Sequence, residues 1–330
     1  MADPTIVGTQ ALTLTDWAKR TDPGGRIDKV VDILNETNEI LDDMLWVEGN
    51  LPTGHRTTVR TGLPTAAWRI LYKGVQPSKS TTTQVDDACG MLEAYAEVDK
   101  KLADLNGNRA EFRMSEDRAF IEAMNQEMAS TLFYGNPVAN PERFLGLAPR
   151  YNDPNADNGQ NILSGGGSGG DNSSIWLVAW SQNTCHGIFP KGSKAGLQHE
   201  DLGQVTLTDD EGGLFEGYRT HYQWDCGLSL RDWRYAVRVA NIDVSDLGGS
   251  SAADLVDLMS EAIELIPNVQ TGKAAFYMNR KVRSALRQQI RDKSNVNLTL
   301  DDVAGRKVLS FDGIPVRRCD ALLSTEAAVS

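Results

Sequence analysis

Cysteine is scarce in this chain: four residues in 330, Cys89, Cys185, Cys226 and Cys319, far apart and with no C-x-x-C pair. That spacing argues against a disulfide framework and suits reduced thiols used as small buried apolar residues. Positive charge is also in deficit, since 33 Lys and Arg against 45 Asp and Glu leave a formal net charge of -12. Such a surface repels phosphate backbones at long range, which disfavours a dedicated nucleic-acid binder. Long apolar runs are missing. The longest, Ile175 to Trp180, falls well short of the roughly 20 residues a membrane-spanning helix needs, so no membrane partner is expected. The opening Met1-Ala2-Asp3-Pro4 has neither the basic nor the apolar part of a secretory signal, and the expectation is a soluble protein made in a cytosol. No internal repeat is visible, which excludes solenoids and propellers.

What is present is a normal globular composition, 40% hydrophobic, arranged as a mosaic. Ile27, Val30, Leu34, Leu41 and Leu45 follow helical spacing after the breaker Pro23-Gly24-Gly25, predicting an amphipathic N-terminal arm. Leu51 to Val85 is rich in Thr, basic and punctuated by Pro and Gly around the strand-like Trp68-Arg69-Ile70-Leu71-Tyr72. It reads as a long extended hairpin with little core of its own. Ser115 is a candidate N-cap for a helix over Glu116 to Tyr134, whose stripe is Ile121, Met124, Met128 and Leu132 and whose end is Gly135 and Pro137.

Ser164 to Gly170 is flexible in composition and suggests a domain boundary. Beyond it, Ser174 to Trp180 reads as a buried strand and Gln204 to Asp209 as a short one. Tyr218, Thr220, Tyr222 and Trp224 would share one strand face, and Trp233, Tyr235, Val237 and Val239 another. Ser251 and Asp254 open a helix with Leu255, Leu258, Met259, Ala262 and Ile266 inward, stopped by Pro267, and Asn279 caps a helix to about Lys293. Val308 to Phe311, Asp312-Gly313 and Ile314 to Val316 predict strand, turn and strand. Strands and helices are segregated, so the class is α+β.

Chemistry-bearing patterns are weak. The glycines from Gly165 to Gly170 lack a following Lys-Ser/Thr and lead into a strand, not a helix N-terminus that could hold phosphate. Cys185, His186, His221 and Cys226 could in principle supply two thiolates and two imidazoles to a zinc ion, but adjacent ligands suit a tetrahedral ion poorly and knuckle spacing is absent. No G-x-S-x-G elbow supports a hydrolase. The acidic runs Asp209-Asp210-Glu211 and Asp301-Asp302 read as loop and cap chemistry. No catalytic, cofactor-binding or metal site is therefore expected. Arg280, Arg283, Arg287 and Arg291 form a basic stripe, either a solvated face or a surface that meets acidic patches on a neighbouring copy.

Several over-specified stretches resemble one family. Leu132-Phe-Tyr-Gly-Asn-Pro with Asn140-Pro-Glu-Arg-Phe-Leu-Gly-Leu-Ala-Pro-Arg-Tyr-Asn152 is similar to the signature of major capsid proteins of short-tailed double-stranded DNA bacteriophages of the epsilon-fifteen and Bordetella-phage type. Ser174-Ile-Trp through Trp180, Phe189-Pro-Lys-Gly-Ser, Ala195-Gly-Leu, Asp201-Leu-Gly, Thr220-His-Tyr-Gln-Trp224, Gly227-Leu, Asp232, Arg234 and Val237-Arg-Val-Ala-Asn-Ile-Asp243 follow in that family's order. Gly62-Leu-Pro-Thr-Ala-Ala-Trp-Arg-Ile-Leu-Tyr72, Phe276-Tyr-Met-Asn-Arg280 and Gly313-Ile-Pro-Val extend the match over nearly the whole chain.

The resemblance implies the Hong Kong 97-like phage capsid fold. Its parts would be an N-terminal arm (1-50), an extended E-loop hairpin (51-90), a peripheral domain with a long spine helix (91-170), a mainly axial domain (171-300) and C-terminal strands returning to the peripheral domain (301-330). It also implies self-assembly into hexamers and pentamers of an icosahedral head enclosing double-stranded DNA, built in the host bacterial cytoplasm. The DNA is expected to make only loose, non-specific contact. Scaffolding, portal and cement proteins are further expected partners. Because only about 50 residues precede the hairpin, the expectation is a separate scaffolding protein and no large cleaved segment. Lys73 and Lys79 alone give no ground for covalent cross-linking. Expected intersubunit contacts are Trp68, Arg69, Tyr72, Lys73, Arg283 and Arg287. Rival readings are an encapsulin-like shell, a cytosolic hydrolase using Cys185 or His221, and a tail or adhesin module.

Overall fold

The structure is a computed structural model that describes residues 36-105, 109-209, 212-249, 252-292, 298-303 and 306-330. In chain order the elements are α1 (Ile40–Asp43), β1 (Trp46–Glu48), β2 (Gly54–Gly62), β3 (Thr81–Asp99), α2 (Lys100–Ala103), α3 (Arg109–Tyr134), α4 (Leu147–Arg150), β4 (Ile162–Ser164), β5 (Asn172–Trp180), β6 (Cys185–Phe189), β7 (Gln198–Thr208), β8 (Leu214–Leu230), β9 (Ala236–Asp243), α5 (Leu255–Leu265), β10 (Lys273–Met278), α6 (Arg280–Asp292), β11 (Leu298–Val303), β12 (Arg306–Phe311) and β13 (Ile314–Arg318). The class is mixed α and β as expected. The chain forms two compact units that cut across its linear order: Met91–Met128 joins Gly196–Asp225 in one, while Thr37–Gly90, Ala129–Ala195 and Cys226–Ser330 make the other.

In the first unit the strand order β7-β8-β3 follows from clean alternation. Tyr218, Thr220 and Tyr222 on β8 and Ala96 and Val98 on β3 are buried, while Met91, Glu93, Tyr95 and Glu97 between them are exposed. The inner face packs on α3: Phe112 joins Val98, Leu102, Ala103 and Tyr218, and Met124 joins Ala96 and Tyr222. The helix has 26 residues, about 39 Å at roughly 1.5 Å per residue. It begins at Arg109, seven residues before the expected Glu116. Ser115 resembles an N-cap but lies inside the helix, because Phe112, only 2% exposed, anchors the preceding turns in the same core. Ile121 also departs from expectation, exposed at 42% on the solvent side, whereas Met124, Met128 and Leu132 are buried as read.

In the second unit β5 is the central strand, buried at all nine positions because both faces are covered. It pairs antiparallel with β9 and β10, and β10 pairs parallel with β13. On one face Leu255, Met259 and Ala262 of α5 and Val282, Ala285 and Leu286 of α6 meet Ile175, Leu177, Val237 and Val239. Trp176 is buried with Phe133 and Tyr151, whose ring centroids lie 6.2 and 5.7 Å from its own.

Asp254 caps α5 by accepting from the Asp257 N–H at 3.2 Å, and Asn279 accepts from Lys281 N–H at 3.0 Å at the start of α6. The β12–β13 turn is the expected one: Asp312 and Gly313 both have positive φ, 51° and 78°, with Phe311 opposite Ile314, a two-residue turn whose twist matches the strands.

Three further expectations need correction. The arm helix is short in its described part: α1 ends at Asp43 and the chain becomes β1, pairing with β6, because Trp46 packs over Gly187, where an added Cβ would lie 2.7 Å from the indole. Leu45 is therefore 44% exposed; Ile27, Val30 and Leu34 lie outside the described residues, as do Ser251 and Lys293. Trp233 and Tyr235 do not share a strand face with Val237 and Val239. Asp232 accepts from Arg234 N–H and locks Trp233–Tyr235 into a 3-10 turn, so β9 begins at Ala236. Finally, Trp68 to Tyr72 is not a strand.

Candidate functional site

The hairpin β2–β3 pairs from Gly54 opposite Ala88 to Gly62 opposite Thr81. Threonine and valine favour this extended pairing, reinforced by the Thr61 and Thr81 hydroxyls at 3.2 Å and by a two-point ion pair from Arg56 to Asp86 at 2.6 and 2.7 Å. The side-chain amide of Asn50 completes the root by accepting from Arg56 N–H and donating to Arg56 C=O at 2.7 and 2.8 Å.

Beneath that root lies a polar cluster. His55 Nε2 is 2.8 Å from Arg231 Nη2, and buried Asp87 accepts from Arg150 at 2.7 Å. His186, fully buried on β6, sits with its ring 5.8 Å from that of His55. Both imidazoles are held below their ordinary pKa. For His55 the causes are burial and then the Arg231 charge; for His186, pushed down to about 4, they are burial, Arg231 and His55. The sequence offered no signal for this cluster, since its members come from five separate segments.

The tip, residues 63-80, has no strand. A turn closes it, Lys73 N–H donating to Ile70 C=O at 3.2 Å, and Tyr72 takes a positive φ of 66°, which is uncommon for an aromatic residue. The expected strand fails there because no strand among the described residues pairs with it. The tip is strongly apolar yet bare: Trp68 and Tyr72 are fully exposed, and Leu63, Ile70 and Leu71 nearly so. Arg69 and Lys73 stand exposed among them. Fully burying a large apolar side chain contributes ~1.5–3 kcal/mol, so these five would contribute roughly 10 kcal/mol if covered. An exposed apolar segment of this kind marks an interaction site.

Arg283 and Arg287 lie on α6, in the second unit. Arg287 is exposed and Arg283 half-buried, with Arg283 Nε shielded from solvent and without a hydrogen-bond partner. Burial and then the Arg287 charge lower the Arg283 pKa. Nearby, burial would raise Asp320, but hydrogen bonds from Arg280 and Arg318 hold it well below the usual carboxylate range. Among the described residues no three His, Cys, Asp or Glu side chains are arranged to hold a metal. Cys185 is buried with its thiol pushed up to about 12 by burial, and His221 contacts Glu93 at 3.3 Å while stacking on Tyr95.

A family model described as major capsid protein GP7 matches residues 22–330. The chain belongs to the GP7 family of major capsid proteins. Among solved structures it is similar to that of bacteriophage epsilon15, at 35% identity with a TM-score of 0.76 over 99% of both chains. It also matches the bacteriophage JBD30 capsid at 8% identity and a TM-score of 0.50, over 88% of this chain and 93% of that chain. The holo-SrpI encapsulin complex of Synechococcus elongatus is matched at 12% identity and a TM-score of 0.44, over 70% of this chain and 97% of that chain. No curated protein sequence matches. The fold is thus the Hong Kong 97-like phage capsid fold, and this major capsid protein is a structural component of a phage virion. The 35% identity over 99% of the chain favours the phage head over an encapsulin shell.

Proposed function

We propose that copies of this GP7-family protein assemble as hexamers and pentamers into an icosahedral head around double-stranded DNA, each copy laying its hairpin over a neighbour. The single observation that carries this reading is the tip: Trp68 and Tyr72 are bare among the described residues, and a neighbouring copy laid against the hairpin would cover them. Arg69 and Lys73 flank these rings and are proposed as contacts with them. The β2–β3 hairpin is the E-loop and α3 the spine. The unit of Met91–Met128 and Gly196–Asp225 corresponds to the peripheral domain, so β7 and the first part of β8 join the spine there, and the unit centred on β5 corresponds to the axial domain.

The role is structural and not enzymatic, which the family supports. Assembly takes place in the host bacterial cytoplasm with scaffolding and portal proteins and, where present, a cement protein. A net charge of -12 lets packaged DNA slide against the shell with only loose contact.

The test is a tip replacement. Because Gly62 faces Thr81, an Asn-Gly turn can stand in for residues 63-80 and leave the strand pairing intact. The expected product is a folded subunit that forms no shells by electron microscopy and mass measurement. Normal particles from this variant would refute the reading.

A further inference from the structure

Two helices of the second unit carry opposite charge on their exposed sides. On α5, Asp257, Glu261 and Glu264 are exposed at i, i+4 and i+7, and Leu255–Leu265 contains no Lys or Arg. On α6, Arg280, Arg283 and Arg287 follow i, i+3 and i+7, with exposed Lys281 beside them. Residues at these spacings share one face of a helix. The helices are locked side by side: Gln289 of α6 accepts from Leu255 N–H at 3.0 Å and donates to Ala253 C=O at 2.8 Å. Their apolar sides share one core, so neither stripe is needed to hold the helices.

Four charges on these stripes, Glu261, Glu264, Arg283 and Arg287, are poorly used among the described residues. Arg280 is committed to Asp320, which it shares with Arg318. No ion pair among the described residues involves Arg283, Arg287, Glu261 or Glu264. Arg283 has lost water at Nε without gaining a partner and faces the like charges of Arg287, Arg317 and Arg318, with Glu39 as its opposing charge. Partial burial of a cation among other cations costs stability unless an anion arrives.

From this we infer that α5 and α6 form the two halves of one head-to-tail contact around a ring of copies: the α6 stripe (Lys281, Arg283, Arg287) of one subunit meets the α5 stripe (Asp257, Glu261, Glu264) of the next. The inference rests on the proposed ring assembly and names its electrostatic surface. A closed ring needs a heterologous contact, in which two different surfaces of the same subunit are complementary. Opposite stripes on adjacent helices meet that requirement. The partner is a second copy and not nucleic acid, because the acidic stripe lies beside the basic one on a chain already at -12 and would repel phosphates. Complementary charge of this kind sets register and suppresses wrong partners.

The experiment is a charge exchange in the full chain, with folding checked by circular dichroism and thermal melting. Glu261→Lys with Glu264→Lys should cut shell yield roughly tenfold or more, and so should Lys281→Glu with Arg287→Glu, both pairs being exposed and compatible with folding. All four changes in one chain recreate the attraction with reversed sign and should restore yield to within about twofold. Wild-type assembly with unaffected single-stripe variants would overturn the inference while leaving the shell reading intact. Failure of the four-fold variant to recover would also overturn it. Basic-stripe variants that assemble normally but lose retention on a DNA column would assign the stripe to nucleic acid and reject the contact. If the tip replacement assembles normally, the shell reading fails on its own account.

Discussion

His186 offers a quantitative test of how the hairpin root is built. The side chain is fully buried, neither ring nitrogen has a hydrogen-bond partner, and the nearby charges are Arg231, His55, Asp87 and the Arg150 that pairs with Asp87. Burial and the two basic neighbours disfavour a second proton, while Asp87 and the Ser181 backbone favour it more weakly, leaving a pKa of about 4 against an ordinary 6.5. The sign follows from linkage. Between these two values the unfolded chain binds a proton that the folded chain refuses, so stability falls as the pH drops through 6.5 and levels off below about 4.

From pH 7.5 to 4.5 this one group should remove ~2.5 kcal/mol, a large share of the stability of an ordinary domain. The assay is urea unfolding of the unassembled subunit at both pH values, wild type beside His186→Leu. The apolar variant has no proton to refuse and no buried nitrogen to leave unsatisfied. It should be neutral to slightly stabilising at pH 7.5 and about 2–3 kcal/mol more stable than wild type at pH 4.5. Equal pH slopes for the two proteins, or a His186 pKa near 6.5 by NMR, would refute the reasoning. The lowered pKa of His55 acts in the same direction and is common to both proteins.

Other perturbations have definite expected outcomes. Glu326 accepts from Arg238 at 2.8 Å, from Ser174 and from Tyr134 in a buried cluster; Glu326→Gln strips the charge that balances Arg238 and should cost about 3–5 kcal/mol in chemical denaturation. A loss below about 1 kcal/mol would mean the cluster is solvated. Leu132→Ala, at a site with no exposure, should cost about 2–5 kcal/mol through the cavity it leaves, whereas Ile121→Ala on the same helix, at 42% exposure, should cost under about 1 kcal/mol by the same measurement. The tip replacement should leave the melting temperature nearly unchanged while abolishing particles, since the large apolar residues removed are exposed among the described residues.

Local chemistry made much of this protein legible. The β5 run, the alternation along β8, the Asp254 and Asn279 caps, the Asp312-Gly313 turn and the buried Met124, Met128 and Leu132 all follow from periodicities and from residues with restricted conformations. The bare hairpin is readable too, because a Thr-rich, Pro- and Gly-punctuated stretch lacks the periodic apolar pattern that builds a core of its own. What local pattern could not decide was set by distant partners. Ser115 has every local mark of an N-cap, yet Phe112 finds Tyr218 across 106 positions of chain and pulls the helix about two turns further. Trp68 to Tyr72 has strand propensity but, among the described residues, no strand to pair with. The His55, Asp87, Arg150, His186 and Arg231 cluster exists only because β2, β3, β6 and the segments around them converge, and burial there changes the charge state of groups whose sequence context is unremarkable. Composition and spacing determined which segments are helix, strand or exposed tip. Tertiary packing decided which charges lose water and which find a partner, because desolvation and pairing depend on distance through space and not along the chain.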